Sequence, residues 1–347
     1  MDHGYWNLET LWFFLIVVLW IGYFVLEGFD FGVGMLLRAI GRDEEQRGHV
    51  IGTIGPVWDG NEVWLLVAGG ATFAAFPSWY ASLFSGFYLA LFLILVGLIV
   101  RGVAIEYRNK HTGGLWRSRW DTAIVASSAV PALLWGVGFG NILQGVPLDA
   151  KGEYTGTLFT LLNPYALFAG VMTLALFALH GAVFLTLRTN GELQERARGI
   201  ALRLALPTAG AVGGFLVWTY LNAVNGEGKG IVPGIVPIAA MLLVSVVGGL
   251  VRGRRDGFAF TATTATIGFV VLTIFLNLYP RVLVSSTSPD FSLTIWSTSS
   301  THYTLTVMTV VALVFTPVVL LYQGWTYWVF RQRLGHDAKN PLSVLTK

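Results

Sequence analysis

Cysteine is absent from these 347 residues, which excludes disulfides, thiolate metal sites and iron–sulfur ligation through this chain. Charge is scarce as well: Asp, Glu, Lys and Arg make up 12% of the chain, against 54% apolar residues. No single soluble core would bury so much apolar surface, and uncharged runs of about 20 residues recur, the length needed to cross a bilayer as a helix. The apolar runs are continuous and lack the alternation of membrane strands, so a barrel is excluded in favour of helices. There is no phosphate loop, no dinucleotide fingerprint and no nucleophile–base arrangement above the apolar background.

What is present is a series of nine candidate spans, at residues 11–40, 51–76, 78–100, 122–144, 164–187, 201–223, 231–251, 259–280 and 305–330. The fold expected is an all-α integral membrane protein of nine transmembrane helices. Arginine and lysine fall in alternate loops: of the 22, only Lys151, Lys229 and Arg281 lie on the other side. By the positive-inside rule the amino terminus is expected outside and the carboxyl terminus in the cytoplasm. The run Gly324-Trp325-Thr326-Tyr327-Trp328 reads as an aromatic belt at the inner interface. The basic balance thus reflects topology, and no basic stripe for nucleic acid forms. Residues 1–9 lack Lys and Arg and the first apolar region is long, so this span is expected to be retained and not cleaved as a signal peptide.

An internal duplication is expected from two short matches. Leu26-Glu27-Gly28-Phe29-Asp30-Phe31 pairs with Leu179-His180-Gly181-Ala182-Val183-Phe184, 153 residues later, and Leu98-Ile99-Val100-Arg101-Gly102 with Gly249-Leu250-Val251-Arg252-Gly253, 151 residues later. Two four-helix repeats in parallel orientation, residues 1–150 and 151–300, would then precede an extra helix and tail at 301–347. Gly28 to Gly32 and Gly136 to Gly140 have the small-residue spacing that lets helices approach closely.

Carboxylates sit where they are costly. Glu27 and Asp30 lie in the first span, Asp59 and Glu62 in the second, each pair three apart and hence on one helix face. A charged side chain at the bilayer centre costs about 2.5 to 3.5 kcal/mol on insertion scales, which makes intramembrane acids functional candidates. Helix direction puts all four, with Arg101 and Glu106, in the cytoplasmic leaflet. The plain alternative is that Arg101 snorkels and Glu62 and Glu106 sit at headgroup level. Pro56 either opens the second helix, leaving Asp59 in its first turn, or kinks a longer one and leaves Asp59 deeper. Of six histidines, only His180 lies within a span. With Met172 or Met241 it is the one axial pair offered to a b-type haem, but a histidine alone in the membrane reads rather as packed or hydrogen-bonded.

Glu27-Gly28-Phe29-Asp30-Phe31-Gly32, Gly55-Pro56-Val57-Trp58-Asp59-Gly60-Asn61-Glu62-Val63-Trp64 and Arg101-Gly102 together closely resemble subunit II of the bacterial cytochrome bd quinol:oxygen oxidases, over essentially the whole chain. The resemblance implies a haem-free subunit of a plasma-membrane enzyme that oxidises quinol and reduces oxygen to water. Haems b and d would be held by the partner, subunit I, whose assembly this chain would support. It also implies a cytoplasmic proton path here, with Trp58, Asp59 and Arg101 at the motif positions and Asp30, Glu27 and Glu62 as further candidates. A structural quinone, lipids and a small accessory subunit are the other binding partners it suggests, and no nucleic acid. The competing class is a proton-coupled secondary transporter, which parallel repeats and midplane acids would also suit. Against it, the acidic helix pair has no counterpart in the second half.

Overall fold

The computed structural model describes residues 7–225 and 234–334. His3, Lys229, His336, Lys339, Lys347 and the ends of the chain lie outside the described residues. The fold is helical, with α1 (Leu8–Ile40), α2 (Glu44–Gly52), α3 (Trp58–Ala75), α4 (Pro77–Gly86), α5 (Tyr88–Tyr107), α6 (Gly114–Gln144), α7 (Pro164–Arg188), α8 (Gly191–Asn225), α9 (Ile235–Arg252) and α10 (Asp256–Leu278). A two-stranded antiparallel pair, β1 (Arg281–Leu283) and β2 (Leu293–Thr294), leads through α11 (Ile295–Thr298) to α12 (His302–Val329).

Long apolar runs make the helices, and short polar residues begin them. Asn7 accepts from the Thr10 amide at 2.9 Å, Asn163 from Ala166 at 2.9 Å just ahead of Pro164, and Thr301 from Thr304 at 3.3 Å, each taking up an amide the first turn leaves unpaired. Eight helices among the described residues are long and apolar enough to cross a membrane. Two expected spans are corrected. Residues 51–76 are not one helix: α2 ends at Gly52, a turn carries Pro56, and α3 starts at Trp58. Its opening Asp59-Gly60-Asn61-Glu62 dilutes its hydropathy, so α3 is not among the eight. Residues 78–100 divide at Phe87 into α4 and α5, and Arg101, expected near a helix end, lies well inside α5.

The core is centred on α1 and α7, which pack on each other, on α6 and on α10. Their approach depends on glycine: a Cβ on Gly32 would strike the Phe177 carbonyl and the Gly181 backbone, and one on Gly181 would strike Gly32. Gly136 meets Ala169 and Gly170 in the same manner between α6 and α7. Around this seam Trp20, Tyr23, Phe24, Trp135 and Phe139 interlock edge to face, with ring centroids 5.1–5.7 Å apart for neighbouring pairs, and Phe177 lies tilted against Phe24 at 5.8 Å. In the second half α8 packs against α9, whereas α3 and α5 stand apart around an aromatic-lined cleft of about 400 Å³ that α4 and α6 complete. α12 is largely exposed and touches the rest of the chain through α1 and α3.

Candidate functional site

Four elements bring polar side chains together inside this apolar bundle. α1 supplies Glu27 and Asp30, one turn apart and both fully buried. α3 presents Asn61 and Glu62 from its first two turns, and α5 presents Arg101. Arg101 does not snorkel: its side chain is 1% exposed, and its Nη2 pairs with both Glu27 Oε1 and Glu62 Oε1, the latter at 2.6 Å. The guanidinium also lies over the Phe31 ring, 4.7 Å from the centroid. Glu62 is 24% exposed while Glu27 is sealed. The arginine therefore bridges an acid that reaches the surface and one that does not.

A second polar chain meets this cluster at Asp30. Its Oδ2 accepts from Asn61 Nδ2 at 2.7 Å. Asn61 Oδ1 accepts from the Tyr327 hydroxyl at 2.7 Å and from Gln323 Nε2 at 3.4 Å, and Gln323 Oε1 accepts from Trp64 Nε1 at 2.9 Å. Four buried atoms of the cluster, Glu27 Oε2, Asp30 Oδ1 and Arg101 Nε and Nη1, have no hydrogen-bond partner in the protein. One turn before Glu27, the Tyr23 hydroxyl accepts from Trp135 Nε1 at 3.1 Å.

Of the six site residues expected from sequence, Glu27, Asp30, Glu62 and Arg101 come together. Trp58 lies beside α5, where a Cβ on Gly102 would meet its ring at 3.2 Å. Asp59 stands apart: it falls in the first turn of α3, is exposed on the chain's surface, and its Oδ1 accepts only from the adjacent Gly60 amide, at 2.8 Å. Pro56 occupies the turn before α3, so neither expected geometry holds in full. Asn61, Gln323 and Tyr327 are members sequence reasoning missed. A glutamine inside an apolar helix was a signal for the second, and Tyr327 reads as a belt aromatic until its inward face is seen. Glu106 is exposed and takes no part.

His180 is packed and hydrogen-bonded. Its ring stacks on Phe260 at 4.8 Å, Nε2 lies 3.1 Å from the Val25 carbonyl and Nδ1 2.7 Å from Thr263 Oγ1. Since a carbonyl can only accept, Nε2 carries the proton and donates it. Both ring nitrogens are thereby engaged.

Fold and site define a multi-pass helical membrane protein with an ionisable cluster sealed between its helices. The family model for cytochrome bd terminal oxidase subunit II matches residues 8–330, and the chain belongs to that family. It is 40% identical to cytochrome bd ubiquinol oxidase subunit 2 of Bacillus subtilis over 342 residues, covering 97% of this chain and 99% of the relative. It is 40% identical to cytochrome bd-I ubiquinol oxidase subunit 2 of Escherichia coli K12 over 363 residues, covering 95% and 96%. The bd oxidase of Geobacillus thermodenitrificans has the same fold, with a TM-score of 0.70 at 20% identity over 91% of this chain and 97% of that one. The protein is thus one subunit of a respiratory quinol oxidase, an oxidoreductase complex, and this replaces the transporter alternative.

Proposed function

We propose that this subunit carries no haem of its own, supports assembly of a haem-bearing subunit I, and delivers protons to the oxygen chemistry performed there. The observation that carries the proton reading is the Glu62–Arg101–Glu27 bridge, one end partly exposed and the other sealed. Arg101 keeps its proton and cannot relay one; its work is to hold two carboxylates in one place despite burial. Transfer between them falls to water on the four unpartnered atoms, since buried polar groups of this kind are satisfied by ordered water. Asp59, at the head of α3, would receive protons at the surface, with the neighbouring Trp58 ring packed against Gly102 of α5. With the arginine-rich loops in the cytoplasm and the amino terminus outside, the path opens to the cytoplasm.

Haem chemistry, the reduction of oxygen with electrons from quinol, belongs in this reading to subunit I. The geometry of His180 supports that division, since both its ring nitrogens are taken up in hydrogen bonds. The cleft between α3 and α6 suits the chain of a lipid or a structural quinone. Trp79 lines it, and its buried Nε1 has no partner, a donor that a carbonyl oxygen would take.

A duplication remains our reading of the architecture, with α12 outside it. Besides the two sequence matches, Arg47 pairs with Asp121 at 3.2 Å, and Arg198, 151 residues after Arg47, pairs with Asp256 at 2.7 Å. The first clasp ties α2 to α6 and the second ties α8 to the start of α10, although the two aspartates are 135 residues apart. The decisive test of function is oxygen consumption by the purified complex carrying Glu27→Gln. Slowed turnover with an unchanged haem spectrum supports the path, and unchanged turnover refutes it.

A further inference from the structure

The hydrogen bonds around Asn61 have a direction that can be worked out from their two ends. At one end, the Trp64 indole N–H can only donate, so Gln323 presents its oxygen to Trp64 and its amide nitrogen to Asn61. At the other, the short contact to Asp30 Oδ2 has the Asn61 amide nitrogen as donor. The Tyr327 hydroxyl, 2.7 Å from Asn61 Oδ1, donates as well. Two donors from α12 therefore pin the Asn61 oxygen. Flipping the amide would set its NH2 against those donors and its carbonyl oxygen against the Asp30 carboxylate.

Asp30 Oδ2 is occupied by this N–H, and Oδ1 has no protein partner. The carboxyl is completely buried and within electrostatic reach of Glu27, Arg101 and Glu62, the charged groups that neighbouring α1, α5 and α3 turn toward it. A proton on Oδ2 would collide with the Asn61 N–H, while one on Oδ1 meets no such obstacle. The inward face of α12, marked by Gln323, Thr326, Tyr327 and Phe330 among exposed neighbours such as Trp325 and Trp328, carries both donors. That helix contributes little else to the core.

We propose that Asn61, locked by Gln323 and Tyr327 of the last helix, is a positioning residue that reserves Asp30 Oδ1 as the proton-accepting atom of the buried cluster. A proton carried in by water forms its O–H bond at Oδ1 and leaves from the same atom, while Oδ2 keeps the Asn61 bond throughout. An amide does not pass protons on, so the chain toward α12 ends there and holds geometry only. The inference rests on the proton-uptake reading for its purpose, and on hydrogen-bond direction for its substance.

The test uses the assembled complex in membranes. The Asp30 signal is identified as the feature of the redox-induced infrared difference spectrum that Asp30→Asn removes. It is then followed in Asn61→Leu and in Tyr327→Phe, which leaves Asn61 in place if the first variant fails to assemble. A displaced Asp30 signal is expected in both, with turnover lowered about ten-fold in Asn61→Leu, which removes a hydrogen bond to a charged group, and less in Tyr327→Phe, which removes a neutral one. An Asp30 signal that neither variant moves would overturn the positioning role. A spectrum that Asp30→Asn leaves unaltered would overturn Oδ1 as the proton acceptor. Normal turnover in Asp30→Asn and Glu27→Gln, with the signal still displaced in Tyr327→Phe, would instead sink the uptake path and leave the lock standing.

Discussion

Replacing Arg101 by Gln keeps much of the side-chain volume but removes the one cation that Glu27 and Glu62 share. Glu27 is fully buried and, among the described residues, pairs with Arg101 alone, so the variant leaves an unpaired carboxylate in the bundle. Breaking a buried pair from one side costs about 3–5 kcal/mol, and the lost stacking on Phe31 adds about 0.5–2 kcal/mol. Glu62, partly exposed, turns to water and contributes little. Against a typical margin of about 5–15 kcal/mol for a folded protein, the single variant should assemble poorly and lose its haem absorbance at a lower temperature. Glu27→Gln combined with Arg101→Gln removes both buried charges and should recover more than half of that loss. The assay is a double-mutant cycle on the solubilised complex, read by thermal loss of haem absorbance. If the double variant is as unstable as the sum of its parts, the two residues are not coupled and the bridge has no energetic meaning.

Asp59→Asn should slow oxygen reduction while leaving assembly and the haem spectrum intact, because its carboxylate supports nothing else in this chain; unchanged turnover would make Asp59 redundant. Gly32→Leu should abolish assembly by forcing α1 off α7, whereas Gly69→Ala, where an added Cβ meets nothing within 4 Å, should be nearly silent; expression of both as haem-containing complex in membranes tests the seam. Trp79→Phe should reduce the lipid or quinone that co-purifies with the complex, measured by extraction and mass spectrometry, and an unchanged content would show that the cleft donor binds nothing.

Much of this was legible from residue type. Continuous apolar runs placed the helices, and Gly28, Gly32, Gly136 and Gly140 announced tight crossings by spacing alone. All six candidate residues were named from sequence, the acids and the arginine because such a group inside an apolar run has few innocent explanations, and four of them come together in the structure. The break at Phe87 was harder: Gly86 is the only local signal, and its close contact there is Tyr154, from a loop far along the chain. Sequence reasoning favoured Asp59 and left Glu62 as an edge residue, whereas in the structure Glu62 joins Arg101 and Asp59 stands apart. Both are acids at a helix start, and only the position of Arg101 in space shows that Glu62 turns inward and Asp59 outward. The Asn61 lock was out of reach for a similar reason, since Gln323 and Tyr327 are more than 260 residues away and meet it only through the packing of α12 on α3.

The central claim, that the buried end of the Glu62–Arg101–Glu27 bridge handles protons, is tested most directly by proton uptake during a single turnover. The reduced complex in sealed vesicles is mixed with oxygen, and a pH indicator on the cytoplasmic face is followed beside the haem absorbance. In Glu27→Gln the proton-uptake phase should slow at least about ten-fold, corresponding to about 1.4 kcal/mol of added barrier, while electron delivery to the haems keeps its rate until protons are required. Uptake at the unaltered rate in a fully assembled Glu27→Gln complex would contradict the account.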